Sequence, residues 1–426
     1  MLRPVSSGGS RPADRLGSFG GRLALIAALG AAVRVAYAVA IAPGTAGLSD
    51  GAWYAEVSRR LVDGHWFEER LGAGLVPTAT HPPLYPLWLA LVRLVGVHGD
   101  TALRASGALL GTVTVCLVGL LGRRIAGAGV GLLAAGIAAV HPLLVAADGA
   151  LLSETLYAAT IVGAMLAALA LLDRPTVLRA AALGGCVALA ALTRPEALLL
   201  LALLVAPIVW LCRAASRWRL GAAALACSLL LVAPFVARNI SVFGLPLISY
   251  NDGNLIGGAN QMSTYYGRSL GGLDFCISRG QPSDEAAFAE ACRRRGFAYA
   301  EKHLTRVPVV VAARVLREWS LYDPYGPELR DQGRRRLVQG IGVGVDYALF
   351  VLAVAGVAQL RRRRVALLVL LAPIAMVTIV AAVTYGSVRL RHGAEPSVIV
   401  LAAAGALSLR TVRRRSRTPP RAGPEP

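Results

Sequence analysis

Apolar runs of about 16 to 21 residues recur between residues 22 and 409, each about the length that crosses the hydrocarbon core of a bilayer. No other feature restricts the fold as strongly. A backbone in lipid must satisfy its own hydrogen bonds, so runs of this kind become helices. Only 16% of the residues are charged and 56% are hydrophobic, where a soluble domain carries about 25% charged residues. The expected fold class is an all-α polytopic membrane protein.

The net charge of +20 invites a nucleic-acid partner, but its placement excludes one. Lys302 is the only lysine. The arginines sit largely in short clusters between apolar runs: Arg123-Arg124, Arg213/Arg217/Arg219, Arg361 to Arg364 and Arg413 to Arg415. Positive charge of this kind collects on the cytoplasmic side. The first 42 residues resemble a secretory signal, yet the many runs downstream favour an uncleaved signal-anchor helix. Placing the clusters inside gives about ten crossings (nine to twelve) in a bacterial cytoplasmic membrane, at 22–42, 102–121, 127–146, 154–172, 178–193, 197–212, 220–237, 338–359, 365–383 and 396–409. Only Arg334-Arg335-Arg336 falls on the wrong side of this track. The piece PPLYPLWLALVRLVG at 82–96 is short, opens with paired prolines and contains Arg93, so it reads as interfacial or re-entrant.

The track divides the chain into a disordered basic N-tail (1–20), an N-terminal membrane module (21–240) with an outer loop at 43–100, an extracytoplasmic region (241–336), C-terminal spans (337–409) and a disordered basic C-tail (410–426). Within 241–336, NDGNLIGGANQMSTYYGRSLGG reads as a loop without regular structure. SDEAAFAEACRRRGFAYAEKHL reads as a helix capped by Ser283 with Asp284 and Glu285 in its first turn. PVVVAARVLREWSLY reads as an amphipathic helix for the membrane surface. Cys116, Cys186, Cys212 and Cys227 lie in or beside spans. Cys276 and Cys292 lie in the outer region, either bonded to each other or as two free thiols.

Sorted by side, the polar residues gather at the outer ends of spans: Asp50, His81, Asp148, Glu154, Arg194, Glu196, Arg238, Asn239, Arg389, Arg391 and Glu395. Ionisable groups at membrane depth are costly and default to paired or functional roles. Each also has a structural reading. Glu154 can favour a helix N-terminus at Ser153, Arg194 can pair with Glu196 across Pro195, and Arg389 and Arg391 can snorkel to headgroups. Asp50 is harder to explain structurally, because the nearest basic residue after it is Arg59. After Asp50, Trp53, Tyr54, Val57 and Leu61 recur at helical spacing, opposite Glu56, Arg59, Arg60 and Asp63, which predicts a surface helix anchored by its aromatic face.

Seven pieces, SDGAWYAEVSRRLVDGHWF, THPPLYPLWLAL, LGRRIAG, SETLY, LTRPEALLL, ARNISVFGLPLIS and YGSVRLRHGAEPSVIVLAAAG, taken in that order, resemble the membrane-embedded glycosyltransferases of the C-type fold, which use polyprenyl-phosphate sugars. The resemblance covers about 40 to 410 and is greatest to the bacterial branch related to protein mannosyltransferases and the lipid A aminoarabinose transferase. It implies juxtamembrane helices in the first outer loop and a base candidate at Asp50, with Glu154 as a second acid. Relatives often carry a basic residue before the paired prolines; this chain has His81. Arg389 and Arg391 match the family's late basic motif.

The chemistry then expected is transfer of a sugar from a polyprenyl phosphate to an envelope glycan, lipid or protein at the extracytoplasmic face. Arg389, Arg391, Arg238 and His81 are the candidates to hold the leaving phosphate. Asp50 would take the acceptor's proton. Glu154 would assist, or the two acids would hold a divalent ion; no other cofactor is expected. Tyr54, Arg194, Asn239 and Glu395 are candidate orienting residues. A lipid-linked-sugar transporter or a non-catalytic envelope partner stays open as an alternative.

Overall fold

A computed structural model describes residues 17–42, 50–71, 74–212, 216–276, 285–325 and 335–417. The helices, in chain order, are α1 (Phe19–Ala40), α2 (Asp50–Val62), α3 (Leu84–Leu94), α4 (Asp100–Ala126), α5 (Ala128–Val140), α6 (Pro142–Asp148), α7 (Glu154–Asp173), α8 (Val177–Ala191), α9 (Ala206–Leu211), α10 (Arg217–Phe243), α11 (Asn251–Ala259), α12 (Met262–Tyr265), α13 (Glu285–Lys302), α14 (Val307–Glu318), α15 (Arg336–Leu360), α16 (Arg364–Val383) and α17 (Glu395–Arg417). The only strands among the described residues form one hairpin, β1 (Glu68–Leu71) with β2 (Gly74–Pro77), antiparallel with Glu68 opposite Pro77.

The protein is an all-α polytopic membrane protein. Six helices (α1, α4, α7, α10, α15 and α16) are long and apolar enough to cross a membrane, and the bent pair α5–α6 makes a seventh. The other three expected crossings fall on shorter apolar stretches of helix: α8, the broken segment Pro195–Leu211, and Glu395–Leu409 of α17. Each of the ten expected runs is thus helical, but only six or seven have spanning length. At about 1.5 Å per residue α3 is about 16 Å long, half of what a bilayer core needs. It lies against α2, whose Ser58 Oγ and Ala55 carbonyl accept hydrogen bonds from Arg93.

Small residues let the long helices touch. A Cβ on Gly184 of α8 would meet the Ala224 carbonyl of α10 at 2.0 Å, and one on Gly356 of α15 would meet the Leu401 carbonyl of α17 at 2.0 Å. Backbone contact of this kind is how helices pack where lipid provides no hydrophobic drive. α1 is bound into the bundle by charge: Arg34 donates to Asp148 at 2.5 Å and to the Ala139 and Ala138 carbonyls at 2.6 and 2.9 Å.

The outer region departs from expectation in two places and settles one alternative left open by the sequence. The stretch expected to lack regular structure forms α11 and α12, because its glycines are packing surfaces. A Cβ on Gly253 would meet the Ala289 carbonyl of α13 at 2.2 Å, and one on Gly296 of α13 would meet the Ile256 carbonyl at 2.5 Å. Cys276 and Cys292 are bonded, tying the end of this loop to α13; Cys116, Cys186, Cys212 and Cys227 are free thiols. In α14 the basic face turns inward instead of outward: Arg314, Arg317 and Glu318 are buried against the end of α16.

The aromatic face of α2 likewise packs on protein. Tyr54 and Val57 are buried, and Trp53 donates to Glu69 of β1 at 2.7 Å. Arg335, from the cluster at odds with the charge track, donates to the Ile41 carbonyl; Arg334 lies outside the described residues, as do Ser283, Asp284, and the expected tails up to residue 16 and from 418. The α17 backbone stays helical to Arg417.

Candidate active site

Asp50 opens α2, and Gly51 beside it presses on the turn before α7, where an added Cβ would lie 3.2 Å from the Ala150 carbonyl. Leu151 in that turn adopts a left-handed φ of 51°, a conformation that costs a non-glycine residue about 1 kcal/mol. The turn delivers Ser153 and Glu154 to the start of α7 beside Asp50. From the other direction, α16 ends at Val383, and the loop after it brings Arg389 between the two acids.

The result is a chain of alternating charges. His81 Nε2 lies 3.5 Å from Asp50 Oδ1, and Arg389 Nη1 lies 2.5 Å from Asp50 Oδ2. Arg389 Nε also donates to Glu154 Oε1, which accepts from Arg194 Nη1 at 3.1 Å. Arg194 in turn donates to Glu196 at 2.6 Å across Pro195. Glu154 Oε2 is buried with no hydrogen-bond partner among the described residues. Burial pushes the Asp50 carboxyl up, but the charges of Arg389 and His81 outweigh it and hold the group well below the usual carboxylate range.

His81 is held from outside. Its segment is fixed by the Arg238 guanidinium on the Thr78 carbonyl (2.9 Å), Glu285 accepting from the Ala79 amide (3.1 Å) and the Thr80 hydroxyl (2.7 Å), and Ser249 donating to the Thr80 carbonyl (2.6 Å). Tyr54 sits beneath, its ring centroid 5.0 Å from that of His81.

These groups form one end of a cavity of about 510 Å³. Asp50, Tyr54, His81, Ser153, Arg194, Glu196 and Arg389 line the polar end; Leu199, Leu247, Ile248, Leu255, Ile256 and Val380 continue it as an apolar wall. Leu198, Ile379 and Val383 belong both to this wall and to the exposed apolar surface of the bundle. The cavity is therefore continuous with the exposed apolar surface of the bundle.

Glu154 lies buried behind the lining, Asp148 is held by Arg34, and four more sequence candidates lie away from the cavity. Arg238 and Asn239 fasten the outer loop: Arg238 also donates to the Phe67 carbonyl, and Asn239 accepts from Arg238 and donates to the Leu247 carbonyl at 2.8 Å. Arg391 and Glu395 pair with each other at 2.6 Å in a separate buried cluster, where Arg391 also holds Asp346, the Glu318 carbonyl and Ser320. His141 joins Asp346 there at 2.9 Å. His141, Asp346 and Glu318 went unmarked in the sequence, and Glu285 stood there only as a first-turn acid, although an acid inside an apolar run such as VGVDYALF is itself a signal. The ligand atoms of His141, Asp346 and Glu395 lie within 4.8 Å of one another, but Arg391 already neutralises both carboxylates. Arg389 does the same between Asp50 and Glu154. In both sets a guanidinium competes with a divalent ion for the carboxylates, while Glu154 and Glu395 each keep one oxygen without a hydrogen-bond partner among the described residues.

No protein-family model matches the sequence, and no curated protein matches it. Solved structures do. The oligosaccharyltransferase of Archaeoglobus fulgidus tethered to an acceptor peptide superposes with a TM-score of 0.57 at 15% identity, over 95% of this chain and 51% of that one. The chain has the C-type glycosyltransferase fold. The same oligosaccharyltransferase in complex with an inhibitory peptide and a dolichol-phosphate gives 0.52 at 14% identity, over 94% and 52% of the two chains. ArnT from Cupriavidus metallidurans bound to undecaprenyl phosphate gives 0.44 at 15% identity, over 94% and 81%. The chain thus spans about half the length of the oligosaccharyltransferase structures it matches.

Proposed function

We propose that the chain is an integral membrane glycosyltransferase that moves a sugar from a polyprenyl-phosphate donor to a hydroxyl or amine of an envelope glycan, lipid or protein, at the extracytoplasmic face. The observation that carries this reading is a single cavity joining a carboxylate, a guanidinium and an apolar wall continuous with the exposed apolar surface of the bundle. A polyprenyl chain fits the wall, its phosphate the guanidinium, and the acceptor the carboxylate. The dolichol-phosphate complex of the archaeal oligosaccharyltransferase supports this class of lipid carrier.

In the reaction, the acceptor oxygen or nitrogen forms a bond to the anomeric carbon as the bond from that carbon to the phosphate oxygen breaks. The polyprenyl phosphate leaves with the electron pair. Arg389, with its planar fork, stabilises the charge growing on that phosphate. Asp50 takes the acceptor's proton. Paired with Arg389, Asp50 is a weak base. A donor phosphate competing for Arg389 loosens that pair and raises the carboxyl's proton affinity, so the base strengthens once the donor is in place. His81 then orients Asp50, and Glu154 and Arg194 keep Arg389 in reach.

The test is transfer of label from a panel of radiolabelled polyprenyl-phosphate sugars to cell-envelope fractions by the purified protein. Asp50→Asn is expected to abolish transfer and leave the fold intact. Full transfer by that variant removes Asp50 as the base. Movement of the donor across vesicles without transfer supports a transporter instead, a reading that the buried charges inside the bundle around Asp346 would then serve.

A further inference from the structure

At the opposite end of α10 from the cavity lies a second hollow of about 590 Å³. The rim of the hollow, at Arg217 and Trp218, begins α10, and Pro246 and Leu247 of the cavity follow the end of that helix, 27 residues or about 40 Å long; the polar ends of the two sites are thus separate, although Leu199 of the cavity wall and Leu201 of the hollow floor are two residues apart. The hollow exists because the chain over Leu201–Val205 makes a π-helical turn, which widens the helix and opens a gap against α10. Its floor is apolar, from residues such as Leu201, Val205, Val209 and Leu225, and no carboxylate lines it. Its rim holds Trp210 and Trp218, both exposed, and Arg217, whose guanidinium lies 4.2 Å from the Trp210 ring centroid.

We propose that this hollow binds an acyl chain of an anionic phospholipid, with the lipid phosphate on Arg217. The occupant is fixed by charge. Stacking on Trp210 orients the guanidinium and leaves its N–H edge free for a phosphate. Arg217 pairs with no carboxylate among the described residues, and Arg219 on the same turn adds a second cation over Trp218. A zwitterionic lipid would find an apolar floor but would offset both cations with its own ammonium. Exposed tryptophans at such a rim match the depth of the headgroup boundary.

The full-length protein is reconstituted in phosphatidylcholine vesicles carrying brominated phosphatidylglycerol or brominated phosphatidylcholine at equal mole fraction. The fluorescence due to Trp210 and Trp218 is the difference between the parent and the W210F/W218F variant. One basic side chain facing an anionic lipid predicts that the brominated phosphatidylglycerol competes about fivefold better for the hollow. Arg217→Gln is expected to erase this preference. Gly221→Leu, which fills the floor with Arg217 intact, is expected to remove quenching by both lipids. Equal quenching by the two lipids in the parent overturns the proposal. So does a preference that survives Arg217→Gln or, where that variant fails to fold, survives Gly221→Leu.

Discussion

Arg389→Ala is the substitution that tests the site most directly. Glu154 is 0% exposed, and its ion pairs among the described residues are with Arg389 and Arg194. Arg194 is already shared with Glu196. Deleting one partner of a buried pair typically costs about 3–5 kcal/mol, because the other charge stays buried and uncompensated. Arg194 remains, so the lower end, about 3 kcal/mol, is expected here. Asp50 adds little to this cost, since at 32% exposure it can rehydrate, whereas Arg389 is only 10% exposed. If the loss comes from the stranded Glu154 charge, Arg389→Ala combined with Glu154→Gln is more stable than Arg389→Ala alone, by about 1–2 kcal/mol. Arg389→Lys keeps a charge but not the fork that serves two carboxylates, and it falls between. The measurement is the unfolding midpoint of purified protein in one detergent, paired with a donor titration of the transfer reaction. A loss under about 1 kcal/mol that Glu154→Gln does not relieve means that Arg389 is not the buried partner of Glu154, and the network from Asp50 to Glu196 is then wrong.

Other consequences can be measured separately. Burial raises the Glu318 carboxyl to about 9 despite Arg391 and Arg194, so the folded protein holds a proton that the unfolded chain releases near the ordinary range. That stability is fully present below the ordinary carboxyl range and is lost as pH climbs toward 9; Glu318→Gln should flatten the decline in a pH series of unfolding midpoints. Asp50 has the opposite sign: its ion pair stabilises the fold above the ordinary carboxylate range and fails only as pH falls through its depressed value. In the proposed mechanism a donor phosphate draws Arg389 away, which places the acid limb of kcat at higher pH than the acid limb of kcat/KM; coincident limbs would count against Arg389 leaving Asp50. Replacing Cys276 and Cys292 by Ser opens a loop of 16 residues, worth about 3 kcal/mol, and should lower the protease resistance of α11 to α13 while the membrane helices stay protected.

Much of the membrane architecture was legible because lipid leaves the backbone few options: every long apolar run had to be a helix. The outer region was less legible, since glycine carries two meanings. In NDGNLIGGA it reads as a breaker, but Gly253 and Gly257 are where α11 rests on α13, a contact visible only once Gly296 and Ala289 are brought across from 32 or more residues away. α2 and α14 misled for a related reason. An amphipathic pattern shows that one face must be covered but not by what, and here protein covers the aromatic face of α2 and the basic face of α14.

The site shows the same limit at atomic scale. Arg389 and Arg391 look equivalent in SVRLRHG, and side alone puts both near the phosphate. The chain there is a 3₁₀ turn, Leu390–Gly393. At three residues per turn, positions two apart point about 120° apart, so the two guanidinium groups face different parts of the protein. Arg389 reaches the cavity and Asp50. Arg391 goes into the core, to Asp346 and Glu395, and anchors the turn on α15 and α17. The two arginines divide the work of one turn: the buried cluster around Arg391 fixes the backbone that carries Arg389 to the cavity and its two carboxylates.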